Sequence, residues 1–157
     1  MKQFTIRVYG ILQDPELGIL VSDEWIKEDR FTKFPGGGMQ FGEGTRDCLV
    51  REFVEEMNLR VAVGEHLYTT DYFQLSAFNP AHQIISIYYA VRPLEPITVP
   101  LKTRPFDFNE RELSLYQQHQ QIESFRFVHF KEFGPDIMSL PIDKIVADQL
   151  AQQFTIN

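Results

Sequence analysis

Over the first twelve residues Phe4, Ile6 and Val8 alternate with Thr5, Arg7 and Tyr9, and a period of two predicts a half-buried strand. Asp14-Pro15 signals a turn, and Gly18 to Trp25 reads as a second strand. Residues 34 to 44 hold five glycines in eleven positions, which excludes a stable helix and suits a loop whose backbone comes close to something. Thr45 is the expected N-cap of a helix that runs to Met57, with Asp47 in its first turn, and Asn58 suits the left-handed helix end. Arg60 to Val63, Leu67 to Leu75 and Ile84 to Arg92 are rich in β-branched and aromatic residues and predict three more strands, with Asn79-Pro80 turning between the last two. Pro93, Pro96, Pro100 and Pro105 then break regular structure through a stretch that reaches about Gln121, long enough for a lid or a dimer contact. Ser124 to Phe130 reads as the last strand, with Glu123 just before it. Ile142, Ile145, Val146 and Leu150 place one apolar stripe on a closing helix.

No repeat and no boundary interrupts this order, and 157 residues with 43% hydrophobic content suit one domain, residues 1–157, with a substantial core. Disordered and collagen-like chains are excluded by the same composition. No signal-peptide run opens the chain and no segment approaches the roughly 18 apolar residues that span a bilayer, so the expectation is a cytoplasmic protein without a membrane partner. The net charge is −7 and the basic residues form no run, which argues against binding duplex nucleic acid. Cys48 is the single cysteine, so no internal disulfide and no thiolate cluster can form. A metal, if bound, must be held mainly by oxygen.

The chemistry concentrates in Gly37, Glu43 and the run Arg51-Glu52-Phe53-Val54-Glu55-Glu56-Met57-Asn58-Leu59. At 100° per residue Leu49, Val50, Phe53, Val54 and Met57 fall in one arc, and Glu52, Glu55 and Glu56 fall roughly opposite. Like charges three and four residues apart destabilise a helix by a few tenths of a kcal/mol per pair, so something should offset them. A hard divalent cation suits carboxylate oxygens and keeps positions for water or phosphate oxygens. Arg51 precedes Glu55 by four residues and can fix its orientation. Three glutamates on a helix face are by themselves only a solvated surface. Six residues matched at fixed offsets, however, arise by chance in roughly one chain in 10⁵, and the face therefore reads as a site.

These residues resemble the Nudix box, G-x5-E-x7-R-E-U-x-E-E-x-G-U with U apolar, over residues 37–59. Phe53 and Leu59 fill the apolar places, and Asn58 stands where glycine is usual, a change that the left-handed tolerance of asparagine softens. The preceding Phe34-Pro35-Gly36-Gly37 is also how many members of the Nudix, or MutT-like, hydrolase family enter the box. The resemblance implies an α/β/α sandwich with a mixed sheet that uses Mg²⁺ or Mn²⁺ to hydrolyse a phosphoanhydride bond in a nucleoside diphosphate linked to another moiety. It implies that Glu52 and Glu56 are the principal metal ligands, with Glu55 a further ligand or the group that polarises water. The carbonyl of Gly36 is an added ligand, and Arg51 orients the carboxylates. Gly37 and Gly38 belong to the loop, and Glu43 supports its junction with the helix.

Family members draw the general base from the box or from a later loop, and Glu123 is the choice among Glu110, Glu112 and Glu123. The partner expected is a small nucleotide-like diphosphate, and because homodimers are common among similar proteins a second copy of the chain is a candidate partner too. The alternative is a catalytically silent Nudix-fold module that senses a nucleotide, although such modules tend to have a degraded box. Arg7, Arg30, Lys33 and Arg92 could meet phosphates, but each reads as a surface charge. Tyr68, Tyr72 and Phe73 could stack on a base but read as core. The box does not select the leaving group. The proline that ADP-ribose hydrolases of the family tend to carry about fifteen residues beyond it is replaced here by Phe73 and Gln74.

Overall fold

Glycine and proline punctuate the chain into eight strands and three α-helices in a computed structural model that describes residues 1–156. In order these are β1 (Gln3–Asp14), β2 (Gly18–Ile26), β3 (Asp29–Lys33), β4 (Gly36–Gly38), α1 (Thr45–Met57), β5 (Val61–Thr69), β6 (His82–Pro93), β7 (Leu101–Lys102), α2 (Glu110–His119), β8 (Gln121–Val128) and α3 (Pro141–Ile156). The α/β class and the mixed sheet expected from sequence are present. Two compact units share the chain, one from Met1–Gln13 and Pro35–Thr98, the other from Asp14–Phe34 and the residues from Val99 onward. Among the described residues no helix is long and apolar enough to cross a membrane.

In the first unit β1 lies between β6, to which it runs parallel, and β4, to which it runs antiparallel, and β5 pairs antiparallel with β6. The alternation expected of β1 does not appear in its burial, since Phe4 is exposed and Thr5, Ile6 and Arg7 are all half-buried. Val8 to Leu12 are all buried, because a strand flanked on both edges and covered on both faces needs a continuous apolar run. Gly10 explains how α1 approaches it, since a Cβ there would lie 2.6 Å from the Phe53 ring. Two of the predicted strands, Arg60 to Val63 and Leu67 to Leu75, are corrected to the single strand β5. It is kept continuous across register shifts on either side of His66, and beyond it Leu75 bridges to Gln83 while the backbone of Thr70, Gln74 and Ser76 hydrogen-bonds to β6. The Asn79-Pro80 turn is present, with the Asn79 side chain accepting from the Ala81 N–H at 2.9 Å.

In the second unit β2 is paired antiparallel with both β3 and β8, and β7 adds in parallel to β8. A buried network ties the three antiparallel strands, with Arg126 donating to Asp23 at 2.6 and 3.2 Å and Thr32 donating to the same carboxylate at 2.6 Å. β8 starts before the predicted Ser124 and ends before Phe130. Glu123 is therefore corrected from a position before the strand to one inside it, opposite Glu24. The proline-rich stretch is less irregular than expected, because Asn109 and Glu112 form a reciprocal capping box that starts α2. α2 buries none of its residues fully and is attached by Tyr116, whose ring stacks 3.8 Å from Trp25 and whose hydroxyl donates to the Lys27 carbonyl. On α3 the stripe is present with Ile142, Val146 and Leu150 buried, while Ile145 is half-buried.

Candidate active site

Helix α1 begins one residue earlier in the capping sense than expected. Gly44 is the N-cap and its N–H meets the Asp47 carboxylate at 3.3 Å, whereas the Thr45 hydroxyl pairs with that of Tyr89 at 2.7 Å. The helix ends as read. Asn58 adopts φ 49°, ψ 41°, and the N–H groups of Asn58 and Leu59 return to the carbonyls of Val54 and Phe53. The orientation of the helix corrects the sequence reading. Val50 and Val54 are exposed, and the buried stripe is Cys48, Leu49, Phe53 and Met57. Glu52, at 12% side-chain exposure, lies on the edge of this stripe with Glu56 one turn on, while Glu55 is 57% exposed. The three glutamates do not share one solvated face.

What Glu52 and Glu56 border is β4. The three glycines of this strand lie opposite Tyr9, Val8 and Arg7 of β1, so the expected loop is in part a paired strand. A Cβ on Gly37 would stand 2.6 Å from the Glu52 carboxylate, and the Gly36 N–H lies 3.4 Å from Glu56 Oε2. Absence of side chains lets two carboxylates reach neighbouring points of one backbone. Gly36 itself has φ +142°, a conformation that side-chain-bearing residues rarely adopt.

Arg51 organises the acidic groups. Its Nε donates to Glu43 Oε2 at 2.9 Å, its Nη1 to Glu52 and Glu55 at 3.1 Å each, and its Nη2 to Glu43 Oε1 at 2.6 Å and the Gly38 carbonyl at 3.0 Å. A guanidinium carries five N–H donors, and these five bonds use them all. Glu43 thus links the segment before the helix to Arg51 of α1, with the Gln40 N–H donating to it as well at 2.8 Å. The Arg51 hydrogen bonds, followed by the Gln40 N–H, hold the Glu43 carboxyl down to about 2, and the same bonds keep Arg51 more firmly protonated. Burial, then the negative Glu43, pushes the Cys48 thiol up to about 12. In the folded protein Cys48 is expected not to react with a disulfide reagent at pH 8, and to react fully in denaturant. Prompt labelling of the native chain would contradict this environment.

Glu123 belongs to the second unit, where Ser22 donates to its carboxylate at 2.6 Å and the Lys33 ammonium stands 3.7 Å away. Ser22 escaped the sequence reading, although its parity with Glu24 on β2 puts it on the face of Glu123. Two of the four cations read as surface charges have specific partners in that unit. Lys33 is nearly buried beside Glu123, and Arg30 lies over the Trp25 ring at 4.2 Å.

Among the described residues no group of three or more His, Cys, Asp or Glu side chains is placed to hold a metal unaided. The donor set nevertheless fits a hard divalent cation. Two carboxylates meet consecutive glycines, a backbone carbonyl lies in the same strand, and such cations retain positions for water and phosphate oxygens. The Cys48 thiol lies against the same strand, 4.0 Å from the Gly37 carbonyl, but is buried.

Solved structures with this fold include a MutT protein from Methanosarcina mazei, with 15% identity over 99% of this chain and 95% of that one at a TM-score of 0.61. An ADP-ribose pyrophosphatase from Streptococcus suis shares 17% identity over 97% of this chain and 90% of that one, with a TM-score of 0.56. A MutT protein from methicillin-resistant Staphylococcus aureus shares 20% over 98% and 99%, with a TM-score of 0.57. No curated protein matches the chain significantly. Residues 3–149 match the model of the NUDIX domain, a span that takes in the glycine strand, the Arg51 network and nearly all else, and the protein belongs to the Nudix hydrolase family.

Proposed function

We propose that the protein is a metal-dependent pyrophosphohydrolase that cleaves a phosphoanhydride bond in a nucleoside diphosphate linked to another moiety. The observation that carries the reading is the meeting of Glu52 and Glu56 with Gly37 and Gly36 on a strand that bears no side chains. Glu52, Glu56 and the Gly36 carbonyl would hold Mg²⁺ or Mn²⁺. Such a cation, when bound, supplies positive charge against the phosphate oxygens and lowers the pKa of water. Arg51 keeps Glu52 in place and orients Glu55, which stands exposed as a further ligand or as the group that polarises water. Glu123, which accepts from Ser22 and stands 3.7 Å from the Lys33 ammonium, is the proposed proton acceptor.

The ADP-ribose pyrophosphatase among the structural relatives puts ADP-ribose first in the experiment. Product release should be followed from ADP-ribose, nucleoside diphosphate sugars, dinucleoside polyphosphates and nucleoside triphosphates, with and without Mg²⁺, for the native chain, Glu56→Gln and Glu123→Gln. The expected result is turnover that requires Mg²⁺, falls at least about 10²-fold in Glu56→Gln, and falls about 10²-fold in Glu123→Gln. Tight binding without turnover of any compound would replace this reading with that of a nucleotide-sensing module.

A further inference from the structure

The diphosphate substrate brings negative charge to a place that already holds Glu43, Glu52, Glu55 and Glu56, and the N–H donors of Arg51 are committed to that acidic group and the Gly38 carbonyl. A cationic side chain beside the metal ligands would add to the positive charge that the metal supplies to the substrate's phosphates. In the first unit the register of β1 and β4 supplies one. Arg7 is the partner of Gly38, two residues along β4 from Gly36, and its Nη1 lies 3.8 Å from the position a Gly38 Cβ would take. Glu56, Glu52 and Arg7 thus lie against Gly36, Gly37 and Gly38 in turn.

The guanidinium is also aimed. Tyr9, on the same face of β1 by the period of two, accepts from Arg7 Nε at 2.5 Å, and the guanidinium carbon lies 5.6 Å from the Tyr9 ring centroid. Tyr9 is 3% exposed and Arg7 is half-buried, so the cation is held on a rigid support with its planar fork set in orientation. Arg46, another cation of this unit, is occupied differently, with its Nη1 on the Val63 carbonyl at 2.9 Å and its charge 4.7 Å from the Tyr89 ring.

Resting on the reading of the site as a diphosphate hydrolase, we infer that Arg7, oriented by Tyr9, binds the substrate's diphosphate and is a specificity-determining residue for it. A fork that presents parallel N–H donors matches two phosphate oxygens, which an ammonium cannot do. Methylenediphosphonate, a diphosphate that cannot be hydrolysed and carries no base or sugar, isolates this contact.

Its binding in the presence of Mg²⁺ should be measured calorimetrically for the native chain, Arg7→Met, Arg7→Lys and Tyr9→Phe, with thermal unfolding of each as a check on folding. Affinity is expected to fall about tenfold or more in Arg7→Met, less in Arg7→Lys, and about threefold in Tyr9→Phe. In parallel, KM for the best substrate of the panel should rise in Arg7→Met by more than kcat falls. If the native chain binds and turns over diphosphates while folded Arg7→Met and Arg7→Lys bind methylenediphosphonate as tightly as it does, the inference is overturned and the hydrolase reading stands. If Arg7→Met does not fold, Arg7→Lys and Tyr9→Phe decide by the same criterion. If the native chain neither binds nor cleaves any diphosphate, the hydrolase reading itself has failed, and the role of Arg7 falls with it.

Discussion

Replacing Arg51 with methionine is expected to lower kcat/KM by about 10²-fold or more and to change how stability responds to acid. The activity effect follows from the bonds the guanidinium makes. One side chain holds Glu43 twice, Glu52 and Glu55 once each, and the Gly38 carbonyl, so its loss frees Glu52 from its place on Gly37 and leaves three carboxylates that repel one another. Displacement of a site group by an ångström can cost about 10²-fold in rate. Arg51→Lys is expected to recover little, because an ammonium has three donors where five are in use.

The acid response has a defined sign. Glu43 titrates at about 2 in the folded chain against an ordinary 4.5, so its contribution to stability is complete above about 4.5 and is lost as pH falls from there through about 2. In Arg51→Met that carboxyl returns toward its ordinary range, and the difference in urea midpoint between pH 6 and pH 3 should shrink relative to the native chain. Equal midpoint differences in the two proteins would show that Arg51 is not what holds Glu43 ionised.

The second large effect is expected at Gly36. An alanine there would need φ +142° and would place its Cβ 2.1 Å from the Val8 carbonyl oxygen and 2.7 Å from Tyr9 Cα, both backbone atoms of β1 that cannot give way. Gly36→Ala should therefore detach β4 or unfold the chain, a loss of at least about 3 kcal/mol in chemical denaturation, and with it Glu56 loses the Gly36 N–H. Gly37→Ala is the instructive contrast. Its Cβ would meet only the end of the Glu52 side chain, at 2.6 to 2.7 Å, which can rotate away. That variant is expected to fold with a nearly native midpoint and to lose metal-dependent turnover, because the atoms that move are those proposed to hold the cation. A native midpoint for Gly36→Ala, or native turnover for Gly37→Ala, would separate β4 from the role assigned to it.

The box was legible because its information is local. Glycine spacing, the acidic run, Arg51 and the left-handed Asn58 lie within residues 37–59, and helix periodicity alone carries Thr45–Met57. The turn at Asn79-Pro80 and the stripe on α3 were readable for the same reason. Local rules failed where a distant segment decides the outcome. Val50 and Val54 are as apolar as their neighbours, yet α1 turns them to solvent and brings Glu52 to its inner edge, because Gly37 leaves room there for a carboxylate. The sequence pattern predicts two strands where β5 is one, because the irregular pairing around His66 is made with β6.

The chain's own order of residues thus determined the family, the metal-suited donor types and the helix that carries them, since each depends on spacing within a few turns of backbone. Pairing of β4 with β1 decided the rest: that three glycines form a strand, that Glu52 and Glu56 share it, and that Arg7 stands beside Gly38. Those contacts join residues about 15 to 31 positions apart, and no local preference specifies which remote backbone will be laid against which.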